Sequence, residues 1–179
     1  MTSGNLRVIM RLRGNTVGSR GKLTKEDLAY IAGFLDGDGC IMLQLVYRHD
    51  YVLGYQIRAS IVFYQKTCNR MFLGRIKKAL RYGYIRNRPD GVSEYTIVGV
   101  NQVKEILLLL RPFLRLKLKQ ANLALNILDK MPKSREKMTL ELLQDLAPKV
   151  DGFRLLNYSK KRTNTSERVK DFLLANNFL

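Results

Sequence analysis

Asp36 and Asp38 stand one residue apart in the stretch Ile31-Ala-Gly-Phe-Leu-Asp-Gly-Asp-Gly39, alternating with Gly37 and Gly39. Two carboxylates so close repel each other unless a cation is present. His49 is the only histidine, so classical zinc fingers, histidine-based nuclease sites and a Ser-His-Asp triad are excluded. Cys40 and Cys68 are too few for a disulfide framework. A metal here would be held by oxygen, which points to Mg²⁺, with Mn²⁺ as the alternative.

The remaining composition indicates what such a metal would act on. The 179 residues suit one domain, and 46% hydrophobic content supports a core. Against 15 acidic residues stand 32 basic ones, a formal charge of +17. That excess calls for a polyanionic partner. The longest aliphatic run, Ile106 to Leu110, is far too short to span a membrane.

A helix must carry the acids. Thr24-Lys-Glu-Asp27 forms a capping-box start, and Leu28, Ile31 and Leu35 fall at core spacing, so the helix is expected to run to about Leu35. Ala29, Gly33 and Gly37 recur every four residues and line one face with a groove. Each glycine costs such a helix about 1 kcal/mol, so something must pack closely against the groove. Acids at a helix C-terminus cost about 0.3–1 kcal/mol each unless a cation is near.

Alternation of period two follows at once: Ile41, Leu43, Leu45 and Tyr47 on one face, Met42, Gln44, Val46 and Arg48 on the other. It returns with Tyr55, Ile57, Ala59, Ile61 and Phe63 against Gln56, Arg58, Ser60 and Val62. Thr67 could cap a second helix to about Leu80, with Phe72, Ile76, Ala79 and Leu80 inward. A second hairpin turns at Pro89-Asp-Gly91, with Tyr84, Arg86, Arg88, Glu94 and Thr96 outward. Helices are then expected over 102–110, with a break at Pro112, over 119–131, near Leu140 and over 168–175. Residues 1–23, acid-free and rich in arginine, suit a basic N-terminal arm; 24–179 form the domain. The class is α+β with a four-stranded antiparallel sheet.

Between Tyr51 and Pro89 lie nine basic residues and no acidic one. Gln44, Arg48, Gln56, Arg58, Ser60, Arg86 and Arg88 occupy the non-core strand face. Arginine suits guanine, glutamine adenine, and serine either. Glu94 on the same face and Lys160 in a late basic loop are further candidate DNA contacts. A strand of eight residues, about 26 Å, is long enough to read a half-site of duplex DNA.

Together these residues resemble the LAGLIDADG homing endonucleases, in particular the single-motif homodimeric members encoded in organellar introns of algae. The likeness spans about 25–175 and includes Tyr-Gly-Tyr-Ile-Arg at 82–86, Pro-Phe-Leu-Arg-Leu-Lys at 112–117, Lys119-Gln-Ala-Asn122 and Thr165-Ser166. It implies an αββαββα fold with a saddle-shaped sheet and a homodimer on double-stranded DNA. Motif helices would meet through Ala29, Ala32 and Gly33. It further implies Asp38 as metal ligand, the Gly37 carbonyl placing metal or its waters, and Asp36 in a structural role. Gln65 and Lys117 would organise water and offset charge. A basic residue is implied four positions after Gln65, but Asn69 stands there; either the adjacent Arg70 substitutes by a local shift, or one electrostatic contributor is missing and turnover is slow. The implied activity is site-specific, metal-dependent cleavage of a long pseudo-palindromic site, in a chloroplast or mitochondrion. The alternative is a non-cleaving binder, such as an intron RNA-splicing maturase, with RNA as partner. Leu146-Ala-Pro-Lys-Val-Asp-Gly152 echoes the motif, but Pro148 is expected to break its helix, and too few residues follow for a second ββαββ unit.

Overall fold

The structure is a computed structural model that describes residues 23–132, 136–157 and 163–179. Helix α1 (Lys25–Asp38) leads directly into the hairpin β1 (Gly39–Tyr47) and β2 (Tyr55–Lys66). A 3-10 turn, Thr67–Asn69, opens α2 (Arg70–Leu80). The second hairpin, β3 (Tyr84–Asn87) and β4 (Val92–Val98), is followed by α3 (Val100–Leu110), a 3-10 turn at Arg111–Phe113, and α4 (Leu118–Leu128). Helices α5 (Leu140–Asp151), α6 (Phe153–Leu156) and α7 (Ser166–Ala175) complete the chain. The order is the expected αββαββα with further helices behind it. Among the described residues no helix is long and apolar enough to cross a membrane.

The four strands form one antiparallel sheet in the order β1-β2-β4-β3. Its register separates two faces by residue parity, as alternating side chains require. Ile41 pairs with Ile61, Leu43 with Ala59 and Leu45 with Ile57, all buried under the helices. Between them Met42 pairs with Ser60, Gln44 with Arg58 and Val46 with Gln56 on the opposite face. Across the second half, Tyr64, Glu94 and Arg86 form one row on that same face. The hairpin between β1 and β2 turns through Gly54 at φ 66°, where a β-carbon would strike the Phe172 ring at 2.3 Å.

Three expectations need correcting. Helix α1 continues to Asp38 rather than ending near Leu35, because its carbonyl end is met by a cation from elsewhere, described below. In α2 the fully buried residue is Leu73, whereas Phe72 is only half-buried, and no side chain caps the start. Pro148 sits inside α5 without ending it. One missing N–H is outweighed by the packing of Leu143, Leu146, Ala147 and Val150, all buried. The expected basic arm, except for Leu23, lies outside the described residues, as does Lys160.

Candidate functional site

The two acids of the motif have opposite surroundings. Asp36 is 8% exposed. One of its oxygens accepts the N–H groups of Arg115 (2.7 Å) and Leu116 (3.2 Å), and the other accepts that of Lys117 (2.9 Å). Lys117 is the residue preceding α4. Asp36 therefore sits at the positive end of that helix, where a carboxylate is favoured. The Lys117 ammonium in turn donates to the Asp36 backbone carbonyl. The last turn of α1 has no basic residue of its own, so Lys117 supplies the cation that its carbonyl end lacks. The acid that looked misplaced in the sequence binds α1 to α4 from 79–81 residues away.

Replacing Asp36 by alanine should leave those N–H groups without acceptors in a part-buried place. At about 1–3 kcal/mol for an orphaned donor, with some rescued by water, a loss of about 3–5 kcal/mol is expected. That corresponds to a melting temperature lowered by roughly 10 °C for a domain of this size. A thermal melt within ~2 °C of the parent would refute the assignment.

Asp38 is the last residue of α1 and is exposed. Among the described residues it has no hydrogen-bond or ion-pair partner. It borders an open depression together with Gln65, Asn69, Met71, Arg75 and Tyr30. Gln65 is fixed there. Its Oε1 accepts the Lys66 N–H at 3.0 Å and the Asn69 Nδ2 at 3.5 Å. A backbone N–H beside Oε1 sets the amide orientation and leaves the Gln65 NH₂ to serve a ligand. Asp38 and Gln65 are thus brought together as expected, whereas Arg70, exposed at the start of α2, does not border the depression. Lys117 borders a different hollow, with Cys40 and Lys119. The Cys40 thiol there is pushed up by burial, an effect opposed by the Lys117 charge.

Among the described residues no three of His, Cys, Asp and Glu cluster as a closed metal cage. Mg²⁺ needs no such cage, since it keeps several waters and takes one or two carboxylates plus substrate phosphate oxygens. Asp38 and the adjoining Gly37 carbonyl are oxygen donors of the required kind.

On the outer face of the sheet, Gln44, Arg58, Arg86 and Arg88 are exposed, and Gln56 is half-exposed. Ser60 shares the face but is only 3% exposed, covered between Met42 and Val98 of the adjoining strands, so it offers little surface to a base. The few acids near this face are not scattered. Arg48 pairs with Asp50 at 2.6 Å, Arg86 with Glu94 at 2.7 Å and Arg88 with Asp90 at 2.8 Å. The Arg48 hydrogen bonds hold the exposed Asp50 carboxyl below its ordinary value. Each guanidinium is held in direction while part of its fork stays free. Glu94 is therefore placed as a buttress for Arg86 in the row with Tyr64, whose phenol is pushed up first by burial.

The groove also separates into two parts. Ala29 and Gly33 are exposed, but Ala32 is wholly buried in its own chain's core. Ala32 is thus a core residue and offers nothing to a neighbouring molecule. A β-carbon at Gly33 or Gly37 would meet no atom within 4 Å. The chain's own packing does not require glycine at either position.

A helix ending in Asp-Gly-Asp-Gly, two hairpins flanking a helix, and a cationic outer sheet face define the class. The chain belongs to the LAGLIDADG endonuclease family, whose model matches residues 31–125. It is 42% identical over 145 residues to the DNA endonuclease I-CvuI of Chlorella vulgaris, covering 81% of this chain and 88% of that one. The DNA endonuclease I-CreI of Chlamydomonas reinhardtii is 38% identical over 152 residues, covering 85% and 91%. The fold is similar to the crystal structure of I-CvuI in complex with its target in the presence of Ca, with a TM-score of 0.78, 39% identity, and 84% and 94% of the two chains covered. The archaeal intron-encoded I-Vdi141I complexed with DNA shares the fold at a TM-score of 0.74 and 18% identity, over 86% and 98%.

Proposed function

We propose that this protein is a site-specific, divalent-metal-dependent DNA endonuclease acting as a homodimer on a long pseudo-palindromic site. The observation that carries the reading is Asp38, an exposed carboxylate with no partner among the described residues, at the end of a grooved helix beside a cationic sheet face. Kinship with I-CvuI and I-CreI, both DNA endonucleases, supports it. An organellar location, chloroplast or mitochondrion, accords with the algal sources of these relatives.

Packing of α1 against its two-fold mate through Ala29 and Gly33 would bring one Asp38 from each subunit towards the axis, over the two scissile phosphates. Asp38 and the Gly37 carbonyl would hold Mg²⁺, or Mn²⁺ in its place. The bound ion would supply Lewis-acid charge at the phosphate and at the departing 3′ oxygen. Gln65, its amide oxygen occupied, presents NH₂ donors that orient water or a phosphate oxygen. Lys117 offsets negative charge beneath the motif, while Asp36 holds the geometry. Water adds to phosphorus, the bond to O3′ breaks, and the products carry 5′-phosphate and 3′-hydroxyl ends. Arg48, Arg86 and Arg88, aimed by their carboxylates, would read base edges with Gln44, Gln56 and Arg58. Lys160 remains a candidate phosphate contact.

Incubation with a randomised duplex library and Mg²⁺, followed by sequencing of the ends, tests this. One cleaved pseudo-palindromic sequence is expected. Tight, selective binding without cutting in Mg²⁺ or Mn²⁺ would instead favour the non-cleaving reading, in which RNA becomes a candidate partner. The same selection with Arg86→Ala should lose about 1–3 kcal/mol of discrimination at one position in each half-site. An unchanged sequence preference would count against readout by this face.

A further inference from the structure

We propose that Arg75 supplies the positive charge at the cleavage depression, acting on the scissile phosphate beside Asp38 and Gln65; the inference rests on the endonuclease reading above. Phosphodiester hydrolysis spreads negative charge over the phosphate oxygens, and a fixed cation there lowers the barrier. The residues around Asp38 differ in what they can offer. Asn69 is neutral and has its amide turned to Gln65 at 3.5 Å. The Lys117 ammonium is bonded to the Asp36 carbonyl and borders the other hollow. Arg75 borders the depression itself, is exposed, and has no ion pair among the described residues.

Helix geometry explains why this residue and not its neighbour stands there. Met71 and Arg75, four apart on α2, lie on one face and both border the depression. Arg70 lies five residues before Arg75, which turns it about 140° around the helix axis. Arg75 also borders an adjoining hollow with Asp27. That carboxylate, however, already accepts the Thr24 N–H at 3.0 Å and the Thr24 hydroxyl at 3.2 Å. A guanidinium carries its charge at every working pH and grips two phosphate oxygens at once. DNA laid over the open depression would exclude water and strengthen that grip.

Single-turnover cleavage of the selected site in Mg²⁺ provides the test, with binding measured in Ca²⁺ and oligomeric state by sedimentation. Arg75→Gln should slow cleavage by about 10²–10³-fold. Affinity for the uncut site should change less than about threefold, and the dimer should persist. Arg75→Lys should recover part of the rate, and Asn69→Arg added to Arg75→Gln should recover more, because a guanidinium returns to the same depression. Lys77→Gln removes an equal charge from the far side of α2 and should cut at the parent rate. Normal cleavage by Arg75→Gln overturns this assignment alone. So does a loss fully matched by weaker DNA binding or by dissociation of the dimer. A parent protein that binds its site but cuts it in neither Mg²⁺ nor Mn²⁺ overturns the endonuclease reading and this inference with it.

Discussion

Asp38→Asn should abolish cleavage in Mg²⁺ by a factor on the order of a thousand or more, while selective binding to the uncut site survives. The substitution is nearly isosteric, and Asp38 has no partner among the described residues, so folding has little to lose. What disappears is the anionic oxygen at the end of α1. Amides bind Mg²⁺ far more weakly than carboxylates, and in the proposed homodimer both subunits would lose the ligand together. Removing the carboxylate at Asp36 would have a different signature: lost stability, with cleavage falling because α1 and α4 come apart. A pair of measurements separates the two acids. Asp38→Asn should melt with the parent and fail to cut, whereas Asp36→Ala should melt early. Residual Mg²⁺-dependent cutting by Asp38→Asn at even a tenth of the parent rate would remove it from the reaction.

That contrast was half legible in the residues. Local periodicity carried the fold. Alternation through Ile41–Arg48 and Tyr55–Phe63 sorted core from outer face, since side chains of a strand alternate whatever lies around it. The turns at Gly54 and Gly91, both at positive φ, were marked by their glycines. Long-range partners were not legible. Asp36 is explained by backbone N–H groups about 80 residues away, which carry no side-chain signature. The same distance hid why α1 runs to Asp38, because its capping cation, Lys117, comes from the residue just before α4. Pro148 misled for a related reason: the helix that contains it is held by tertiary packing, which local propensity does not report. Small residues were ambiguous too. Ala29, Ala32 and Gly33 look alike in the motif, yet only helix phase against the sheet turns Ala32 inward. Ser60 has the right parity for the outer face but sits between larger neighbours. Arg75 had a signal, its four-residue spacing from Met71, but nothing in the sequence says that this face of α2 borders Asp38.

Gly33→Leu should convert the dimer to a monomer that is folded and at least as stable. In a lone chain the position is exposed, and a β-carbon there meets nothing within 4 Å. Leucine in a helix interior is favoured over glycine by roughly 0.5–0.8 kcal/mol. A substitution that helps the isolated helix can do harm only through a molecule packed against it. Close approach of two α1 helices leaves no room for an isobutyl group on each, and the symmetry of the contact doubles the clash. Sedimentation should therefore show monomers at concentrations where the parent is dimeric, with an unchanged or raised melting temperature of the folded chain. Affinity for the full site should fall by about 10²–10⁴-fold, because each half-site is then bound without help from the other. Gly33→Ala, adding one carbon, should weaken dimerisation to a smaller degree, so that the effect grades with side-chain volume. An intact Gly33→Leu dimer would show that the exposed face of Ala29 and Gly33 is not where two copies meet. Asp38 from each chain would then have no demonstrated way to reach one DNA site.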